Sequence, residues 1–401
     1  MDATVALQRV LTGRPKTDNA TPPSEHSPLT IDLLVEPMLT APELHMGSTL
    51  RGDIDRLGLG FGGLDLRSTV PILLGKSREQ RARRGAHLPG SGLAQPDTPP
   101  GVVALKGELQ FVSRTFSNDS GARKYKLYIP TSYRNRALPL IIMLHGCTQS
   151  PDDFAAGTRM NILAEQHDCF VAYPAQTNAA NMQKCWNWFR EADQQRDSGE
   201  PSLIAGITRQ VMRDYEVDPR RVYIAGLSAG GAAAAVMAET YSDLYAAVGV
   251  HSGLACGAAR DMPSAFAAMR NGGTVARRPG SSARLPAQDR VVPTIVFHGD
   301  TDATVDRCNG DAVVDQAKRS VAFKKTVENS RVPGGHAYCV TRHTDLQDQS
   351  VIEQWVVHGG GHAWFGGSTS GSYTDPRGPD ASAEMLRFFL EHRHPSPADA
   401  P

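Results

Sequence analysis

Residues 222–241, VYIAGLSAGGAAAAVMAETY, constrain the fold of this chain more than any other stretch. A short apolar strand, VYIAG, runs into Gly226, Leu227, Ser228, Ala229 and Gly230 and then at once into a helix of small residues. A strand–turn–helix unit of this kind holds its serine on a sharp, strained turn. Glycines on either side of the serine let the neighbouring chains approach closely. A chance G-x-S-x-G match in a chain with 38 glycines would lack that strand and that helix. The helix N-terminus beside Ser228 offers amide dipoles where charge develops on a reacting carbonyl oxygen. Ser228 is therefore the candidate nucleophile, and the Ala229 N–H a candidate oxyanion donor.

The flanking sequence predicts what carries this unit. LPLIIMLHG (138–146), CFVAYPA (169–175), YAAVGVHSG (245–253) and VPTIVFHGD (292–300) read as buried strands. Helices are expected at 151–166, 202–215, 232–241, 311–323 and 382–393, with VDPRR as a turn before VYIAG. LQFVSRTF (109–116) and KYKLYIP (124–130) alternate like an antiparallel pair around an NDSG turn at 118–121. Residues 340–345 and 350–359 read as a second pair, and 256–290 as an excursion over the sheet edge. This alternation predicts an α/β fold with a mostly parallel central sheet flanked by helices, in a catalytic domain over 102–395. Residues 1–101 are rich in Pro, Ser, Thr, Gly and charge over 13–30 and 76–101. They are expected to form a low-complexity, largely disordered N-terminal extension.

A serine hydroxyl needs a base, and the base needs a carboxylate to orient it. After the strand at 292–300 stand Asp300, Asp302 and Asp306, and after the strand at 350–359 stand His358 and His362. The order Ser, acid, His is that of the α/β-hydrolase fold. Asp302 is preferred because Asp300 lies close to its strand and suits a turn-forming role. His362 is preferred because it lies beyond its strand in a glycine loop. Upstream, LHGCT (144–148) ends the strand expected beside the nucleophile strand, so the Cys147 N–H is the second oxyanion candidate, with Thr148 as the fallback. His145 precedes the serine and suits a bracing role. Trp186, Trp188 and Trp364 are candidate substrate-binding walls, with packing in the core as the alternative.

Composition narrows the partners. Lys plus Arg and Asp plus Glu are 42 each, which gives no electrostatic reason to expect a nucleic-acid partner. No run of 18 apolar residues predicts a membrane span. The six cysteines contain no CxxC pair, so no metal is expected. The first twenty residues lack the apolar run of a signal-peptide core.

Taken together, HGCTQ (145–149), CWNWF (185–189), GLSAGG (226–231), HGDTDATV (298–305) and GGGHAW (359–364) resemble the polyhydroxybutyrate (PHB) depolymerase-like esterases. These are α/β-hydrolases related to feruloyl and acetylxylan esterases. The resemblance covers roughly 105–393, and it implies that Ser228, Asp302 and His362 form a triad. It further implies a Cys147–Cys185 disulfide and, more loosely, a Cys308–Cys339 pair. The implied activity is cofactor-free hydrolysis of short-chain hydroxyalkanoate or related esters, small or oligomeric. A feruloyl or acetylxylan-type esterase and a serine peptidase are the enzymatic alternatives, and an idle fold used for binding is the third. The family implies an extracellular protein, whereas the N-terminal sequence by itself also suits the cytoplasm.

Overall fold

The computed structural model describes residues 110–273, 290–319 and 321–395. The expectation for residues 1–101 lies outside them. The described chain begins with an antiparallel hairpin, β1 (Gln110–Asn118) and β2 (Gly121–Ile129), turned at Gly121, where φ is +120°. β3 (Leu138–Leu144) is buried along its whole length. The helix expected at 151–166 is two helices, α1 (Pro151–Thr158) and α2 (Met160–Gln166). Arg159 breaks it with a left-handed φ of 56°, while its guanidinium donates to the Gly366 carbonyl and to Asp380. That break comes from contacts with residues some two hundred positions away.

β4 (Phe170–Pro174) leads through a 3₁₀ turn (Glu191–Gln194) to α3 (Gly199–Asp214). β5 (Val217–Leu227) includes the predicted VDPRR turn as a bulge. Val217 pairs with Leu138 but Val222 already pairs with Leu140, so Asp218–Arg221 loop out. α4 (Ala229–Thr240), β6 (Ala247–His251) and α5 (Met262–Asn271) follow. The last of these is a helix inside the presumed excursion, started by a capping box between Asp261 and Ser264. Next come β7 (Thr294–Gly299), α6 (Cys308–Lys318), β8 (Lys324–Arg331), β9 (Ala337–Thr344) and β10 (Ser350–Val357). A two-stranded ribbon, β11 (Trp364–Phe365) with β12 (Thr374–Asp375), precedes α7 (Ala381–Glu391). β8 carries no apolar signal because every residue of KKTVENSR is exposed.

One ten-stranded sheet has the order β1-β2-β4-β3-β5-β6-β7-β10-β9-β8. Its six central strands, β4 to β10 in that order, are parallel, with antiparallel pairs at both edges. Alternation within each strand feeds two cores. Leu140, Ile142, Val222, Ile224 and Val250 face α3, α4, α5 and α6. Ile141, Met143, Tyr223, Ala225 and Phe297 face α1, α2 and α7. Each of the valines, leucines, isoleucines, Met143 and Phe297 among them contributes roughly 1.5–3 kcal/mol by leaving water. Burial on both faces explains why these strands read as unbroken apolar runs. Among the described residues no helix is long and apolar enough to cross a membrane. The parallel strands all end on one edge, and the segments that follow them there carry every candidate site residue, the tryptophan segment 185–189 after β4 included.

Candidate active site

At the end of β5 the chain reverses into α4 through Ser228, whose φ of 58° and ψ of −121° are rare for a residue with a side chain. Such a conformation costs roughly 1–3 kcal/mol and persists only where its surroundings enforce it. Enforcement here is backbone against backbone. A Cβ on Gly226 would lie 2.3 Å from the Gly230 carbonyl carbon, and one on Gly230 would lie 2.1 Å from the Leu144 oxygen. The Ser228 N–H donates to the His251 carbonyl at 2.9 Å. The Ser228 side chain makes no capping bond to α4, which leaves Oγ uncommitted to the helix.

Asp302 follows β7 with its side chain fully enclosed. Its Oδ1 accepts the N–H groups of Thr304 and Val305, both at 2.9 Å, and its Oδ2 accepts from His362 Nδ1 at 2.7 Å. An ionised carboxylate can only accept, so Nδ1 carries the proton and Nε2 is the basic nitrogen. Burial works against the ionised form of Asp302. The His362 hydrogen bond and charge, with the Val305 and Thr304 amides, outweigh it and hold the pKa below the ordinary aspartate value.

His251, at the end of β6, links the two halves of the site. Its carbonyl takes the Ser228 N–H, and its Nε2 accepts the Phe365 N–H at 3.1 Å. The chain three residues beyond His362 is thereby tied to the strand end that fixes Ser228. It stacks on Trp364 and Phe297, and full burial, with smaller pushes from His298 and His362, holds its pKa well below the usual value. Position 251 reads as a mere strand end in the sequence, so its role went unseen.

The rejected candidates have other partners. His358 Nδ1 donates to Asp300 at 2.8 Å, and the same carboxylate accepts the Gly359 N–H at 2.7 Å. Asp300 therefore ties the histidine loop to β7 rather than shaping only its own turn. Asp306 accepts the Cys308 N–H at the start of α6.

The 145–149 loop lies beside Ser228. A Cβ on Gly146 would be 3.6 Å from Ser228 Cβ. Thr148, the fallback donor, spends its N–H on the Gln183 carbonyl at 2.6 Å, and the Gly146 N–H goes to Gln149 Oε1 at 2.9 Å. Cys147 sits between these two committed amides. Its side chain forms a disulfide with Cys185, closing a 38-residue separation. In the chain-entropy account that cross-link contributes about 4 kcal/mol. The second cysteine expectation is corrected: Cys308 and Cys339 are both free thiols. Cys308 opens α6 against Gly272, whereas Cys339 lies on β9, with all of β10 between it and β7.

All three tryptophans offered as pocket walls are enclosed in the cores. Trp186 is fully buried and donates to the His145 carbonyl at 3.1 Å, so it props the 145–149 loop from beneath. Trp364 is buried against Phe154 and donates to Ser382. Trp188, also buried, stands edge-on to Phe189. Their aromatic signal is that of packing, which sequence alone cannot distinguish from a pocket.

Beneath the loop lies a buried polar network that the sequence reading missed. Glu200 accepts from the Asn187 amide and side chain, from Gln176 and from Arg123, while Asp193 accepts the Glu200 N–H. Gln176 donates its backbone N–H to His145 Nε2 and its side-chain amide to the Cys185 carbonyl. The disulfide-bearing loop is thus held by a carboxylate that no motif marks. Among the described residues no group of three or more His, Cys, Asp or Glu gathers as metal ligands would.

His145 does brace the loop. Nε2 accepts from Gln176, so Nδ1 must carry the proton that it donates to the Gly146 carbonyl at 2.7 Å. Burial, with a smaller push from Lys184, lowers its pKa to about 4 against the Gly146 bond. Below pH 6.5 the unfolded chain then takes up a proton that the folded chain refuses. This stability is complete above pH 6.5 and is lost as the pH falls toward 4. His145 alone predicts a loss of about 2 kcal/mol between pH 7.5 and pH 5. His251 and His298, both lowered mainly by burial, act in the same direction. Urea midpoints measured at the two pH values check this, and equal midpoints would contradict it.

Similarity to known proteins matches this architecture. Residues 123–336 match the family described as Esterase PHB depolymerase. The chain is 31% identical over 260 residues to poly(3-hydroxyalkanoate) depolymerase C of Paucimonas lemoignei, covering 63% of this chain and 60% of that protein. It is 32% identical over 155 residues to feruloyl esterase B of Neurospora crassa, covering 38% and 51% respectively. The matched regions thus span between half and two thirds of these relatives. Among solved structures, an acetyl xylan esterase from Aspergillus awamori superposes with a TM-score of 0.52 at 18% identity, over 67% of this chain and 94% of that one. That likeness fixes the α/β-hydrolase fold. With a family match over more than half its length, the chain belongs to the PHB depolymerase esterase family.

Proposed function

We propose that this protein hydrolyses carboxylic esters by two-step acyl transfer, with Ser228 as nucleophile, His362 as general base and Asp302 as the acid that orients it. Ser228 Oγ attacks the ester carbonyl as its proton passes to His362 Nε2. The carbonyl electron pair moves onto oxygen, facing the N–H groups of Ala229 and Cys147. Collapse of this intermediate breaks the ester C–O bond, and the leaving alcohol takes the proton back from His362. Water then repeats the sequence on the acyl-enzyme and releases the acid. The reaction is redox-neutral and needs no cofactor.

The observation that carries this reading is the 2.7 Å bond from His362 to a buried, ionised Asp302, on a loop tied through His251 to the Ser228 turn. The substrate we assign is a short-chain hydroxyalkanoate or related ester, supported by the relative of 31% identity. Similarity to a feruloyl esterase supports an aromatic acyl group as the second reading.

A fluorophosphonate probe should label the protein at Ser228, located by peptide mass spectrometry. Absence of label there would overturn the mechanism and favour a binding role for the fold. Rates on p-nitrophenyl esters of graded chain length, a hydroxybutyrate oligomer, methyl ferulate and acetylated xylan should rank the hydroxybutyrate oligomer and the shortest acyl chains first. A preference for methyl ferulate would replace the substrate reading while leaving the triad in place.

A further inference from the structure

Gln149 is almost wholly buried, yet it belongs to neither triad nor oxyanion pair. Its Oε1 accepts the Gly146 N–H at 2.9 Å. Its Nε2 donates to Asp153 Oδ2 at 2.8 Å, to the Ser372 carbonyl at 3.1 Å and to Ser372 Oγ at 3.3 Å. Asp153, on α1, in turn accepts the Ser372 N–H at 2.9 Å and its hydroxyl at 2.6 Å. One side-chain amide therefore joins three pieces of chain: the 145–149 loop, the first turn of α1 and the segment 366–373 that follows the histidine loop.

Each end of this joint leads to a reacting position. On one side, Gly146 immediately precedes Cys147: the Gln149 side chain fixes the His145–Gly146 peptide unit, and the next unit, from which the Cys147 amide projects, is held at the Gly146 carbonyl by His145 Nδ1 at 2.7 Å and by the Gln149 N–H at 3.4 Å. On the other side, the Tyr373 carbonyl accepts the Trp364 N–H at 2.7 Å, two residues beyond His362. The Tyr373 hydroxyl also meets Thr148 Oγ1 at 3.2 Å, closing a second contact between the same two loops. The 366–373 segment is seated firmly on α1, since a Cβ at Gly371 would lie 2.4 Å from the Asp153 carbonyl oxygen. The 145–149 loop is therefore referenced to a rigid support through Gln149.

We propose that Gln149 is a positioning residue that holds the Cys147 oxyanion donor in register with the loop bearing His362. This rests on the acyl-transfer reading above. An oxyanion donor acts through geometry fixed before the reaction, so a small displacement weakens it in the transition state far more than in substrate binding. Gln149→Ala removes the whole joint. Gln149→Glu keeps an oxygen for the Gly146 N–H but replaces the donor facing Asp153 and Ser372 with an acceptor. Both variants should lower kcat on the order of 10²-fold. KM should stay within about threefold, the mark of an interaction expressed mainly in the transition state.

The test is steady-state kinetics on a p-nitrophenyl ester together with inhibition by a trifluoromethyl ketone, whose tetrahedral adduct presents the oxyanion. Ketone affinity should fall in parallel with kcat/KM in both variants. Kinetic constants of folded Gln149→Ala within about threefold of the parent would overturn the proposal, as would a kcat loss with unchanged ketone affinity. Circular dichroism reports whether each variant folds. If Gln149→Ala does not, Ser372→Ala, which removes the hydroxyl contacts to Gln149 Nε2 and Asp153 Oδ2 and leaves the backbone ones, should still lower kcat several-fold, and an unchanged kcat there would overturn it. Ser228→Ala run in parallel separates the two readings. Activity retained by Ser228→Ala defeats the acyl-transfer mechanism itself, whereas an inactive Ser228→Ala beside a fully active Gln149→Ala defeats only the role given to Gln149.

Discussion

Ser228→Ala should lower kcat on short-chain p-nitrophenyl esters on the order of 10⁶-fold while leaving a folded protein of nearly unchanged stability. The expected loss is large because in the proposed mechanism the hydroxyl forms the covalent intermediate. The expected stability is ordinary because Oγ makes no capping bond to α4, and alanine meets the same strained φ of 58° that serine already tolerates. His362→Ala should fall by a similar factor, and the double variant should be scarcely worse than either single one, since the groups act as a unit. Single-turnover measurement of acyl release and a thermal melt check the two halves separately. A Ser228→Ala protein retaining even a tenth of parental kcat/KM would end the acyl-enzyme mechanism.

The second large effect is structural. Gly230→Ala should destabilise the fold by roughly 3–5 kcal/mol and abolish activity. The added methyl group would sit 2.1 Å from the Leu144 oxygen and 2.6 Å from the His145 oxygen, both backbone atoms of the neighbouring strand and its loop. Relief requires α4 to move away from β3, which takes Ser228 and the Ala229 amide with it. Gly121→Ala is the matched control. It has open space around the new carbon but a φ of +120°, so it bears only conformational strain of about 1–2 kcal/mol. Denaturant midpoints for the two variants decide the matter. Equal midpoints would mean that close approach, as distinct from backbone conformation, is not what demands glycine at 230.

The strands were legible in the sequence where both faces are buried. β3, β4 and β7 each present an unbroken apolar run because helices cover both sides of the sheet. β8 was invisible for the opposite reason: an exposed edge strand buries nothing, so its residues carry no period. The break at Arg159 was equally hidden, because its partners Gly366 and Asp380 are contacts that only tertiary structure supplies.

The candidate site divides in the same way. Ser228, Asp302 and His362 could be nominated because each stands after a strand, within short patterns imposed by local backbone geometry. Sequence alone also set their order, the α/β alternation and the family to which the chain belongs. His251, Gln149 and Glu200 could not be nominated, since each acts through hydrogen bonds to residues distant in the chain, and an isolated histidine, glutamine or glutamate has no local signature. The Cys147–Cys185 pair was implied by the family resemblance, whereas tertiary structure alone decided that Cys308 and Cys339 stay reduced and that Trp186, Trp188 and Trp364 pack inside. Local sequence specifies turns and faces through short-range sterics and burial. Which polar groups meet across the sheet edge is fixed only when the strands are laid side by side.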